Sequence, residues 1–337
     1  MMRKRLAGFA AALCASAALY TATPAAAEEI RLAVGCPAIP ICADWVWAED
    51  VAKQLNEAGL EAKVYVGGAL GKDPEIVDQL SQGLLQFGLT NFVMIHQVDP
   101  RVLGFMAPYM FDDMEHMFRA IDETDLLDPI KESMEAQRVK IAALTGTGGT
   151  VGIFNNKKAV EKPADLEGLR LRAIDTSQIE LMKNWGANGV VIDMPEFTTS
   201  VQQGMVDGYI NPPVVAFIFK HTDFLKYYTD AGAGTAFRSA LMSKDWYDGL
   251  SDEDRAKVDT AVEGANQRNR EWTYKAAAAE LEQLGKLGVT VTKLSPEARA
   301  DFVERSKKAW PVLMPADSVD DFVEAAEKTR KCTQPRI

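Results

Sequence analysis

Strand-like and helix-like segments alternate along this chain in two successive sets, and that order limits its fold more than any single motif. Residues 30–34 (IRLAV) read as a strand, and Asp44 to Ala58 carries apolar residues at helical spacing. A second strand at 62–66 (AKVYV) leads through GGALGKD into a helix from Pro74 to Leu85, with Asp73 as its cap and Pro74 in the favoured first position. FGLTN at 87–91 is a third strand. The pattern restarts after residue 140 with KIAAL, GTGGTVGIFNN, LRLRAI, a helix from Ser177 to Trp185, GVVID, a helix from Phe197 to Gln203, and VDGYI. Such alternation predicts parallel sheets covered by helices, and two sets predict two lobes of an α/β fold. Ligands of these sheets bind beyond the carboxyl ends of the strands, so Asn91 and the loop after Ala33 are cleft candidates on topology alone.

One stretch breaks the rhythm. From Ser251 to Leu287 there is almost no helix breaker; Ser251 caps the run, acids fill its first turn and Gly288 ends it. At 1.5 Å per residue such a helix reaches about 55 Å, more than one lobe's core requires, so it is expected to lie along both lobes. The glycine-rich GTGGTVG lacks the lysine and the strand-loop-helix setting of a phosphate loop, and reads as a hinge crossing or turn.

The first residues have the layout of a secretory signal. Arg3, Lys4 and Arg5 precede an apolar run from Leu6 to Tyr20, and Ala25-Ala26-Ala27 offers a cleavage site. Leu13 stands before Cys14 where lipid attachment wants a small residue. Residues 1–27 are therefore set aside. Removing their three basic residues leaves 337 − 27 = 310 residues and moves the formal net charge from −11 to −14. An acidic surface argues against nucleic acid or anionic lipid as partner, and an acidic protein that binds an anion must concentrate positive charge at one place. In an oxidising compartment Cys36 and Cys42, enclosing PAIPI, form either a disulfide or two buried thiols; Cys332 is left over. His96, His116 and His221 are far apart, and no zinc spacing is present, so neither a metal nor a cofactor is expected. No Gly-x-Ser-x-Gly elbow or His-Glu-x-x-His is found, and no catalytic activity is expected.

Positive charge is conspicuous in LEGLRLRAID. Arg170 and Arg172 alternate with Leu169 and Leu171, so on a strand both point to one side. An arginine at the end of such a strand presents a planar fork of donors suited to a carboxylate, whereas a solvated surface pair is the plain alternative.

Five stretches in order resemble the substrate-binding proteins of TRAP transporters across nearly the whole exported chain: GGALGKDPEIVDQLSQGLLQFGLTN, APYMFDDMEHMFRAID, LEGLRLRAIDTSQIELMKNWGANGVVIDMPEF, VQQGMVDGYINPP and LMSKDWYDGLSDEDRAKVDTAVEGA. The resemblance implies a periplasmic receptor with two α/β lobes, hinge strands and a long helix spanning both. The expected division is 28–147 plus 238–276 for lobe I and 148–237 plus 277–337 for lobe II. The receptor would bind a small organic acid and hand it, as a monomer, to the TRAP membrane permease subunits. Arg172 matches the arginine with which the family clamps a carboxylate, and Asn211 matches an asparagine of the same cleft. Asn91 ends a strand where the family faces ligand, and Trp45 and Phe217 are aromatic candidates nearby. Many members carry another arginine where this chain reads GTGGTVG; its loss argues for a monocarboxylate, or for a ligand with a neutral or apolar far end. The binding protein of an ATP-driven importer and a ligand-presenting sensor partner are the rival readings.

Overall fold

The structure, a computed structural model, describes residues 29–331. The expected secretion signal, Cys14 and Cys332 lie outside the described residues. Eleven strands are described: β1 (Ile30–Val34), β2 (Ala62–Tyr65), β3 (Phe87–Asn91), β4 (Val139–Gly146), β5 (Gly152–Asn155), β6 (Arg170–Ala173), β7 (Asn188–Val191), β8 (Gly208–Asn211), β9 (Tyr227–Asp230), β10 (Phe237–Ser243) and β11 (Thr290–Lys293). Among the described residues they form a five-stranded sheet, ordered β2-β1-β3-β10-β4, and a six-stranded sheet, ordered β11-β9-β5-β8-β6-β7. Each sheet is the centre of one lobe.

The first sheet has helices on both faces. Trp47, Val51 and Leu55 of the helix Ala43–Glu57 pack with Val258, Ala261 and Ala265 of the long helix on one face. On the other, Ile76 and Leu80 meet Phe92, Phe105 and Leu241. The second sheet is covered likewise. Leu181, Met182 and Trp185 lie with Phe302 on one side, and Phe197, Tyr209 and Tyr228 lie with Leu284 on the other. The tail then returns, since Trp310, Met314 and Phe322 are buried in the core of the first lobe while Ala309 belongs to that of the second.

Neither sheet is purely parallel, contrary to the expectation from the alternation. β1 pairs in parallel with β2 and β3, but β10 runs antiparallel to both β3 and β4. The reason is the route of the chain. β3 and β4 run toward the second lobe, whereas β10 comes back from it. The crossings themselves are joined: Thr147 N–H donates to Ala236 O at 3.3 Å, Val151 N–H to Gly234 O at 3.1 Å, and Ala233 N–H to Val151 O at 2.8 Å.

The long helix, Asp252–Lys286, starts as expected, with the Ser251 hydroxyl accepting from Asp254 N–H. It joins both cores through Ala261 and Leu284, and it grips the hinge on the way. Asn269 exchanges hydrogen bonds with the Gly146 backbone at 2.9 and 3.3 Å, and Glu280 accepts from Gly149 N–H at 3.0 Å. This explains the glycine run. A Cβ at 148 or 149 would lie 2.2 or 2.6 Å from the Glu280 carboxylate, and Gly148 also has φ +131°.

Cys36 and Cys42 form a disulfide with Cα atoms 6.6 Å apart, just ahead of the helix Ala43–Glu57. Closing so short a loop restricts the unfolded chain by roughly 2 kcal/mol. Reduction is therefore expected to lower the denaturant midpoint, as measured by urea unfolding with and without reductant; coincident curves would remove the bridge from the stability account.

Candidate functional site

The carboxyl ends of β1 and β3 in the first lobe and of β6 and β8 in the second open toward the crossings, where a ligand of such sheets is expected. Between the lobes lies a cavity of about 90 Å³, lined by Phe92 and Met106 from one lobe, Ile174, Gln178 and Asn211 from the other, and Thr235 from a crossing. Its walls are mostly apolar, with Leu103, Val151, Leu181 and Trp185 contributing.

Arg172 is fixed by its neighbours on the sheet. It pairs with Val190 of β7 and Tyr209 of β8, and its Nε donates to Ile192 O at 2.7 Å. The side chain is only 9% exposed, yet the rest of the fork makes no hydrogen bond or ion pair among the described residues. Burial pulls its pKa below the ordinary arginine value, while Asp193, Tyr209 and Asp175 pull the other way. The group stays cationic. An oriented, nearly dry fork with no direct ion pair is half of a carboxylate site.

Arg170 points to the same side but serves the framework. Its Nε and Nη2 reach Asp207 at 3.2 and 3.0 Å, and its own N–H donates to the same carboxylate at 2.9 Å. Burial raises the Asp207 pKa, but the hydrogen bonds from Arg170 outweigh it and hold the carboxyl below its usual range.

Asn211 ends β8 two residues beyond Tyr209, the partner of Arg172, so both side chains belong to one face. Its Nδ2 is buried with no hydrogen-bond partner among the described residues. A buried amide donor left unmet costs about 1–3 kcal/mol, which a ligand acceptor would relieve. Asn91 lies across, at the end of β3. Its N–H donates to Asp73 at 2.7 Å and its Oδ1 accepts from Val93 N–H at 3.1 Å, which is a strand-end cap; Phe92, not Asn91, lines the cavity. Trp45 packs against the first-lobe core beside Val64, and Phe217 against the second-lobe core beside Phe224; neither lines the cavity. The structure puts Arg172 and Asn211 on one face of neighbouring strands, with Asn211 but not Arg172 lining the cavity, and sets the two aromatics into packing.

A cationic residue that sequence reasoning passed over also reaches this edge. Arg238 on β10 stands opposite Asn91, and its Nε donates to Asp44 at 2.8 Å. Its strand carries no motif, so only the fold reveals the position.

The chain matches the family model for bacterial extracellular solute-binding proteins, family 7 (DctP), over residues 45–315. It belongs to that family, the solute-binding proteins of TRAP transporters. Among curated relatives of this receptor, the ectoine/5-hydroxyectoine-binding periplasmic protein UehA of Ruegeria pomeroyi is 25% identical over 302 residues, 88% of each chain. The C4-dicarboxylate-binding periplasmic protein DctP of Rhodobacter capsulatus is 27% identical over 318 residues, 90% of this chain and 92% of the relative. A TRAP periplasmic solute-binding protein from Bordetella bronchispeptica, whose bound density is assigned to pantoate, superposes with a TM-score of 0.77 at 23% identity, over 88% of this receptor and 99% of that chain. The likeness confirms the two-lobe α/β fold. The family is one of transport receptors and not a known family of enzymes.

Proposed function

We propose that this protein is a periplasmic receptor for a monocarboxylate, exported by residues 1–27 and handing its ligand to a TRAP permease. The carboxylate docks on the free fork of Arg172, Asn211 Nδ2 donates to the same ligand, and the cavity that Asn211 lines takes an apolar portion. We place the lobe boundaries at 147/148 and 237/238 and within the long helix near 276, with the tail from Trp310 riding on lobe I. The carrying observation is the buried Arg172 fork, whose outer nitrogens have no direct partner among the described residues. The loss of a second arginine from GTGGTVG supports a single charge anchor, and the cavity, which Arg172 does not line, supports an apolar portion of ligand beside Asn211. Ectoine, pantoate and C4-dicarboxylates, named for the relatives, all carry a carboxylate, which supports the anchor without choosing the cargo. Family membership favours the TRAP reading over the ATP-driven importer.

A thermal-shift screen of unfolded and refolded protein, freed of carried ligand, tests this. Ligands that bind only the folded state raise Tm by mass action, about 2.7 kcal/mol at a hundredfold excess over Kd. Monocarboxylates such as ectoine and pantoate are expected to outrank succinate and malate. A larger shift from the dicarboxylates would overturn the monocarboxylate assignment, and no shift from any acid would overturn the receptor reading.

A further inference from the structure

Two arginines in this molecule are held in the same way, one in each lobe. Arg172 is tied through Nε to Ile192 O in the second lobe, and Arg238 through Nε to the Asp44 carboxylate in the first, at 2.7 and 2.8 Å. Neither makes another side-chain hydrogen bond or ion pair among the described residues, so each keeps its outer Nη donors for something else.

Each lies on the sheet face that the long helix covers, outside the lining of the cavity. Arg172 shares a sheet face with Tyr209, in the core that includes Leu284 of the long helix. Arg238 shares a face with Ala240, in the core that includes Val258 and Ala261 of that helix. Arg238 also pairs in register with Asn91, the last residue of β3, so it stands at the edge turned toward the second lobe. Its side chain is 24% exposed whereas Asp44, behind it, is 5% exposed. The Arg238 side chain is therefore the more accessible member of the pair. Cations at this edge are compensated: Asp44 binds Arg238 directly, and Asp73, which accepts from Asn91 N–H, is near enough to act on both. One positive and two negative groups leave a local excess of negative charge.

We propose that Arg238 is a second ligand-contacting arginine, and that Asp44 restricts it to a neutral acceptor. The ligand class is then a monocarboxylate bearing a hydroxyl or carbonyl oxygen away from its carboxylate. Arg172 takes the charged end and Arg238 the neutral oxygen, so one ligand bridges both lobes. A second carboxylate at Arg238 meets Asp44 and Asp73 and is rejected. This deepens the monocarboxylate reading and rests on it.

Calorimetric titrations of matched probes test it: pantoate, its dideoxy counterpart 3,3-dimethylbutyrate, 4-hydroxybutyrate with butyrate, and succinate. Wild-type protein should prefer the hydroxylated member of a pair. Arg238→Met should shrink that preference at least tenfold while the deoxy acid keeps its affinity within about threefold, since a hydrogen bond to a charged donor is what is lost. Asp44→Asn, which keeps the arginine and removes its counter-charge, should raise succinate affinity at least tenfold relative to the monocarboxylates. Arg172→Met serves as the control that abolishes binding of every acid. If Arg238→Met and Asp44→Asn leave the ranking of probes unchanged while Arg172→Met abolishes binding, the Arg238 proposal is overturned and the receptor reading stands. If no monocarboxylate binds the wild type, both fall together.

Discussion

Arg172→Met should reduce the affinity for the acid at least a hundredfold while leaving the ligand-free protein as stable as before, or more so. Two charge-assisted hydrogen bonds to one carboxylate are worth about 1.5–3 kcal/mol each, so losing both costs at least about 3 kcal/mol, and every 1.4 kcal/mol is tenfold in Kd. Stability should move the other way. The Arg172 guanidinium is buried and makes one hydrogen bond, to a backbone carbonyl, so methionine relieves the desolvation of a charge and fills a similar volume. Lys at the same position keeps the charge but loses the planar fork, and a loss of at least tenfold is expected. Calorimetric titration together with urea unfolding reads both effects. Unchanged affinity in Arg172→Met would remove this residue from the anchor role, and a large loss of stability would make it a framework residue like Arg170.

The second large effect is a pH dependence set by Glu280. This carboxyl is 6% exposed, and burial pushes its pKa up to about 7 from the ordinary 4.5, with the Gly149 N–H acting in the opposite direction. No cation contributes, and Tyr228, whose hydroxyl bonds Thr150 O, is the other titratable group facing it. The folded state therefore holds this proton more tightly than the unfolded chain does. Its contribution is fully present below about pH 4.5 and is lost as pH rises through about 7. The upper limit is roughly 3 kcal/mol. Glu280→Gln preserves an acceptor for Gly149 N–H but cannot ionise. The variant should remove the decline, so that above pH 7 it is more stable than the wild type by up to that amount, with the difference vanishing near pH 4.5. Denaturation series from pH 5 to 8 measure this; parallel profiles for the two proteins would contradict it. The hinge gives the effect its interest, since Glu280 grips the crossing through which the lobes must move.

Local pattern made much of this legible beforehand. β1 and β3 have the expected bounds, β2 ends one residue early at Tyr65, and the long helix runs from Asp252 to Lys286 with Ser251 as its cap. Each is written in short-range signals: apolar periodicity, a capping hydroxyl, a terminal glycine. The fork at Arg172 was visible through its alternation with leucines and through resemblance. The sheet directions were not visible, because β10 is antiparallel by virtue of where the chain re-enters the first lobe and nothing in FRSALMS records that. Asp44 and Arg238 are 194 residues apart, and Gly149 and Glu280 are 131 apart. Pairs of that kind leave no spacing to read. The glycine run illustrates the boundary: its role as a crossing could be inferred, but its need for glycine comes from Glu280 on a distant helix.

The most direct measurement is a crystal structure of the refolded protein with the acid that gives the largest thermal shift. One ligand carboxylate is expected about 2.7–2.9 Å from the outer nitrogens of Arg172, the distance of a charged pair, with Asn211 Nδ2 donating to the same molecule. A ligand bound elsewhere, or one that leaves the Arg172 fork bare, would contradict the carboxylate anchor.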